Sequence, residues 1–390
     1  DEYKYARMIN SRSDVFKCFS GPIFKLIEEE LFKLPWFVKK ITVADRPNYI
    51  VAMLARLNGT VVDTDYTSFE ALFTPEIMKA VEMQLYKYMS AALPGGAQWY
   101  EEIEATLTGD NACWARDFIL YTRGRRMSGE MCTSLGNGFS NLMFMLFACH
   151  KMGSKCVGVV EGDDGLFSIA GPVPTPEFFS RLGLRIKMGV HTDIETASFC
   201  GIIFDRQDRI NVTDVRRVLC DFGWIDGRYV ASRRSRALAL LRCKALSLAH
   251  QYPGCPVLSA LAKYGLKITA GIDVGHYVRN SPHLDWWKRN ELLGYFEGRK
   301  EKPIPDRPVG DRTRDLVHVT YGVSPDEQRR MERNLLARAQ SRDLSPIPAP
   351  IWAQNSNWVD YGRKYTLARL GTSVFAYPGP HKKRTSFSVI

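Results

Sequence analysis

CVGVVEGDDGLFSIA spans Cys156–Ala170 and sets two adjacent aspartates, Asp163 and Asp164, at the centre of an otherwise apolar run. The β-branched and aromatic residues on either side, with Gly162 and Gly165 at the tip, read as a hairpin. Asp164-Gly165 already supplies a turn dipeptide, so the second carboxylate needs its own explanation. Neighbouring like charges raise one another's pKa, and a cation relieves that repulsion. The triplet alone decides nothing. Gly-Asp-Asp is expected by chance in roughly one chain in ten to twenty of this length, and a solvated turn is the plain alternative.

A chain of 390 residues, 45% hydrophobic and 24% charged, is an ordinary globular composition long enough for two or three substructures. The longest apolar stretch, Leu142 to Cys149, is too short to span a bilayer. Nine cysteines without a C-x-x-C pair, and seven histidines that do not cluster beside them, speak against structural zinc and a disulfide framework. A reduced, intracellular setting is the default. The formal charge of +11 is dispersed, with dense points at RGRR (123–126), SRRSR (232–236) and HKKR (381–384). That pattern suits a polyanion held in a channel, although plain solubility accounts for the charge as well. The opening DEYKYARMIN lacks an initiating Met and reads as an internal cut of a longer product.

Working outward, VVDTDYTSF reads as a strand ending near Asp65. Thr74-Pro75-Glu76 is an N-cap with Pro at the first helical position. Ile77, Val81, Leu85 and Met89 then predict one amphipathic helix from Pro75 to Ala92. A polar insertion follows to about Arg125, then a Gly-containing loop and a helix from about Met131 to Met152. After the hairpin, Thr175-Pro176-Glu177 caps a short helix that stops at Gly183. This order predicts an α+β sheet with helices on one face. From about Asp205, helical segments alternate with Pro-rich joints, and Ser324 to Glu327 has capping-box spacing for a helix to about Ala339.

Three stretches answer the question posed by the aspartate pair. DTDYTSFE (63–70) offers Asp65 at a strand edge, able to join Asp163 and Asp164 around two Mg²⁺ ions. The plain alternative is a loop cap, and Asp63-Thr64-Asp65 also mimics the D-x-D of metal-dependent glycosyltransferases. In RRMSGEMCTSLGN (125–137), Ser128-Gly129 forms a flexible loop, and Thr133, Asn137 and Asn141 lie at i, i+4, i+8 on one helix face. Short amides and hydroxyls fit against a polar surface such as a sugar. In KYARMINSRSDVFK (4–17), Lys4, Arg7, Arg12 and Lys17 alternate with apolar residues, and guanidinium groups can clamp a triphosphate. A basic surface strand is the alternative there.

D-x₄-[D/E], S-G-x₃-T-x₃-N and G-D-D, in this order and at these intervals, resemble motifs A, B and C of viral RNA-dependent RNA polymerases. The wording is most similar to positive-strand RNA viruses of the tombusvirus-like and nodavirus-like groups. LGLRIKMG (182–189) resembles motif D, SFCGIIF (198–204) motif E and ARMINSRSDVFK motif F. The resemblance implies an α+β right-hand fold. Residues 1–60 would carry a fingers segment with motif F, 61–92 and 126–204 the palm, 93–125 a fingers insertion, and 205–390 a mainly helical thumb and tail. Family members carry more fingers sequence before motif F, so the chain reads as truncated.

The resemblance further implies that Asp65, Asp163 and Asp164 bind two Mg²⁺ ions, with Mn²⁺ as an alternative, and that Lys187 is the general acid, with Arg185 the runner-up. Arg7, Arg12, Glu70, Ser128, Gly129, Thr133 and Asn137 would meet the incoming NTP, and Lys4, Lys17, Arg126 and Gly162 the RNA. Glu70 stands where the family usually has Asp. A hydrogen bond between Glu70 and Asn137 is expected to read the ribose 2′-hydroxyl. The implied partners are an RNA template, a nascent strand and NTPs. The implied location is a membrane-associated replication complex in the host cytoplasm, with membrane attachment through regions outside this chain. The competing readings are an inactive polymerase-like RNA-binding subunit and the D-x-D glycosyltransferase, which leaves S-G-x₃-T-x₃-N unexplained.

Overall fold

The two-residue period of a strand governs Thr60–Tyr66, which we call β1. Val62, Thr64 and Tyr66 are buried, while Asp63 and Asp65 project from the other face. The computed structural model describes residues 9–115, 117–223, 233–280, 284 and 286–343, without the side chains of Cys220, Trp286 and Trp287. Within them, β1 is followed by β2 (Asp110–Trp114), β3 (Ile119–Arg123), β4 (Lys155–Glu161), β5 (Asp164–Ala170) and β6 (Ile186–His191). Four of these form one antiparallel sheet in the order β4–β5–β1–β6. Its apolar face, with Val62, Tyr66, Val160, Phe167 and Ile186, packs into one core with Leu142 and Met145 of the Thr133–Lys151 helix. This is the α+β arrangement expected from the order of elements.

The chain divides into two units. The first includes Asn48–Cys200 and the described residues up to Ile41; the second includes Thr42–Pro47 and the described residues from Gly201. The division falls just before β7 (Ile203–Asp205), which pairs with β8 (Ile210–Val212) inside the second unit. That unit is mainly helical, and its core gathers Val212, Leu258, Leu261, Val317 and Leu335. Its Pro325–Ser341 helix opens on the expected capping box: Ser324 accepts from the Glu327 N–H, and Glu327 accepts from the Ser324 N–H.

Two expectations need correction. The stretch from Pro75 to Ala92 is not one helix but Pro75–Ala80 and Glu82–Ser90, broken at Val81 (φ −118°, ψ −82°). The Thr74 cap is present, accepting from the Ile77 N–H. The apolar repeat registers only the core stripe, whereas Glu82 is itself fully buried. The polar insertion likewise holds a helix, Gly96–Thr108, whose Trp99, Ile103 and Leu107 enter the core, and the β2–β3 hairpin.

Glu82 has a reason to be inside. Its carboxylate pairs with the guanidinium of Arg126, accepts from the Tyr86 hydroxyl at 3.0 Å, and lies with Arg126 out of contact with water. Burial lifts the Glu82 carboxyl above the usual range, against the pull of Arg126. Arg126 also lies 5.0 Å above the Phe73 ring. Removing one member of such a pair strands the other charge in the core, at a cost of about 3–5 kcal/mol, whereas replacing both with apolar residues is often neutral. Arg126→Met is therefore expected to lower unfolding stability by about that amount, and Glu82→Leu/Arg126→Met to recover most of it. Denaturant midpoints of the two variants check this; equal losses would show that the charges are not coupled.

Candidate active site

The site is built on strand parity. Thr64 pairs with Gly165, so the next step of the same register sets Asp65 level with Asp164. On the other side Asp65 pairs with Lys187. Cross-strand partners share a face, so Asp65, Asp164 and Lys187 all project away from the helix-packed side. Glu161 pairs with Asp164 and joins them. That pair leaves Gly162 and Asp163 as the turn, in place of the Asp164-Gly165 turn read from the sequence. Gly162 takes φ +61°, which glycine adopts without strain.

Asp164 is half-buried beside other acids. Burial first, then Asp163, with further push from Asp65 and Glu161, raises its carboxyl to about 6, against a hydrogen bond from the Cys200 thiol. That thiol also donates to Glu161 Oε2 at 3.6 Å. Asp63 serves differently. Its carboxylate accepts from the backbone N–H groups of Gly189 and Ser198, both at 2.9 Å, and lies 3.1 Å from His191 Nε2. A Cβ on Gly189 would meet Asp63 Oδ1 and His191 Nε2, so a larger residue there would push the carboxylate off its backbone partners. Asp63 thus ties β1 to the segment after β6, and of the two D-x-D carboxylates on this face only Asp65 stays exposed. Hard oxygen donors crowded together, one of them raised by burial and by its acidic neighbours, suit Mg²⁺ or Mn²⁺, whose charge relieves both costs. Among the described residues, however, no three acidic, His or Cys side chains are already gathered in metal-holding geometry.

The polar face of the Thr133–Lys151 helix divides into three tasks. Thr133 Oγ1 donates to the carbonyls of Met127 and Glu130, both at 3.0 Å, bracing the loop rather than turning to open space. Asn137 Nδ2 donates to Glu70 Oε1 at 3.3 Å, the hydrogen bond expected from the sequence. Asn137 is 4% exposed and its Oδ1 has no partner among the described residues. Asn141, fully buried, donates to the carbonyls of Gly162 at 3.2 Å and Asp164 at 3.0 Å.

The basic residues are partly spent inside the protein. Lys4 and Arg7 lie outside the described residues. Arg12 donates through Nε to Glu130 Oε1 at 2.8 Å, and its guanidinium also bonds Asn111, so in this state it braces the loop instead of facing a triphosphate. Arg126, expected to contact RNA, is buried against Glu82. Arg125 donates to the carbonyls of Ala71 and Phe73. Lys17 pairs with Asp14 on the outside of the Asp14–Leu31 helix. Ser128 is half-buried, its carbonyl accepting from the Asn10 N–H at 2.8 Å. Gly129, exposed at φ +98°, has no room for a Cβ beside Ile9. Lys187 and Arg185 are both exposed. Sequence reasoning missed Glu130, Glu161 and Cys200, none of which carries a local signal, and gave Asn141 no site role although its i+8 spacing marked it.

The Asp164 shift has a stability consequence. Its carboxyl titrates higher in the folded protein than the ordinary value of 3.8, so the proton it holds below that value favours folding, and this is lost as pH rises through about 6. Asp164→Asn is therefore expected to raise the thermal midpoint of the metal-free protein at pH 8 and to leave it unchanged near pH 3. A midpoint difference independent of pH would contradict the origin assigned to the shift.

No family model matches the sequence, and no curated protein matches it. Solved structures do. The RNA-dependent RNA polymerase of a human picobirnavirus is 16% identical with a TM-score of 0.50, over 70% of this chain and 54% of that one. Its insertion-loop deletion mutant is 17% identical with a TM-score of 0.49, over 69% and 56%. The chain thus spans just over half the length of those polymerases. Neither match supports the narrower likeness to tombusvirus-like or nodavirus-like groups. The α+β fold is similar to that of a viral RNA-dependent RNA polymerase over about 70% of the chain.

Proposed function

We propose that this chain carries the catalytic centre of an RNA-directed RNA polymerase that uses an RNA template and NTPs. The observation that carries the reading is the register that sets Asp65 level with Asp164, on one face of the sheet, beside the Asp163 turn. The polymerase-like fold adds support. Asp65, Asp163 and Asp164 would hold two divalent ions. Bound there, Mg²⁺ or Mn²⁺ supplies activation of the 3′-hydroxyl and charge neutralisation at the phosphates.

The other roles follow from the side chains themselves. Lys187 would pass a proton to the departing pyrophosphate, a role supported by its exposed position cross-strand from Asp65. Asn137 Oδ1, buried and without a partner among the described residues, is an acceptor suited to a ribose 2′-hydroxyl, whose oxygen can in turn accept from a donor of the site. The glycosyltransferase alternative loses ground because Asp63 is consumed by Gly189, Ser198 and His191. The inactive-subunit alternative is separated by activity.

Asp163→Ala is expected to abolish template-directed incorporation while leaving RNA affinity within about twofold, because RNA phosphates are held by cationic side chains. Full activity in that variant would sink the polymerase reading. Affinity for single-stranded RNA should fall steeply with salt and show little sequence preference; strong sequence preference would point to a dedicated binding module. Glu70→Ala and Asn137→Ala should each reduce selection of ribo- over deoxyribonucleotides by about ten- to a hundredfold, the worth of an unmet buried polar group, with Glu70→Asp tolerated. Unchanged sugar selection in both alanine variants would leave Glu70 as a loop carboxylate only.

A further inference from the structure

The Asp163 turn has two ways to close. Both two-residue hairpin turns of this kind put their first residue at positive φ, but type I′ needs positive φ at the second as well, whereas type II′ does not. Gly162 is at φ +61° and Asp163 is absent from the positive-φ residues, so the turn is of the II′ kind. The two forms interconvert by rotating the central peptide, whose carbonyl belongs to Gly162. Rotation carries Asp163 into the left-handed region, strained for a residue with a Cβ, and tilts the Cα–Cβ bond that carries its carboxylate.

Asn141 holds that carbonyl. Its Nδ2 gives one proton to Gly162 O at 3.2 Å and the other to Asp164 O at 3.0 Å, so a single amide grips the two carbonyls that bracket Asp163. Asn141 is fully buried and its Oδ1 finds no partner among the described residues. An apolar side chain of similar size would fill this volume without leaving an acceptor unmet. The amide is therefore retained for its donors. The surroundings are firm: Phe37 and the Gly162 backbone pack close to Gly138 of the same helix, and Trp36 O accepts from the Val160 N–H at 2.8 Å. These contacts support the hairpin, but none of them binds the central carbonyl.

We infer that Asn141 is a positioning residue that selects the turn conformer aiming the Asp163 carboxylate toward Asp65 and Asp164. The inference rests on the polymerase reading above. It also places the aim of Asp163 and the Asn137–Glu70 contact one turn apart on the same helix.

The test is Mn²⁺ titration of the protein without RNA or NTP, alongside thermal midpoints without metal. The variants are Asp163→Ala, Asn141→Leu and Asn141→Ser, the last keeping one donor. Asp163→Ala should weaken Mn²⁺ binding. Asn141→Leu should weaken it by about ten- to a hundredfold, as loss of an outer partner does, with Asn141→Ser between Leu and wild type. If Asn141→Leu fails to fold, the Asn141→Ser affinity decides. Mn²⁺ affinity unchanged in folded Asn141 variants, with Asp163→Ala impaired, would make Asn141 a packing residue and leave the polymerase reading standing. Equal binding by wild type and Asp163→Ala would remove the carboxylate site itself, and the inference with it.

Discussion

Everything chemical in the first unit hangs on the pairing of β1 between β5 and β6. A slip of one residue would turn Asp65 into the core and Val62 into solvent, since side chains alternate strictly along a strand. Register is held from both sides of the sheet. Val62 and Tyr66 lock it by burial among the helices, and Asp63 locks it by binding the backbone of Gly189 and Ser198. The acidic face is thus a by-product of a hydrophobic face that cannot be placed otherwise.

A second theme is the use of charge within the core. Arg12, Glu130, Arg126 and Glu82 run as alternating cations and anions from the start of the first helix to the Glu82–Ser90 helix. The loop bearing Ser128 and Gly129 is strung between them, so its shape is set by ion pairs as well as by its own sequence. Loops with few apolar side chains cannot be fixed by burial alone, and buried charges with mutual partners give them a defined path. The same arrangement explains why a high arginine count overstates the cationic surface.

The acidic cluster works against stability. Asp164 is half-buried beside Asp163, Asp65 and Glu161, and its raised pKa reflects burial first and the repulsion of those acids second. The thiol of Cys200 and the amide of Asn141 restrain the hairpin from opposite sides, one through carboxylates and the other through carbonyls. Unfavourable electrostatics of this kind persist where the rest of the structure over-determines the geometry.

By itself, the sequence determined the alternating strand around Asp65, the hairpin, the long polar-faced helix and the capping box at Ser324. Each rests on a local period or a short spacing that the chain cannot hide. Together with the family resemblance it also paired Glu70, five residues after Asp65, with Asn137 on the polar helix face. Only the tertiary structure decided that the turn is Gly162-Asp163, that the stretch after Pro75 breaks at Val81, and that Arg126 and Arg12 are engaged by acids. Glu130 lies 118 positions from Arg12 and Glu82 lies 44 from Arg126. No periodicity within a segment encodes such partnerships, since they arise when packing brings distant charges into a space that excludes water and leaves each only the other to bind.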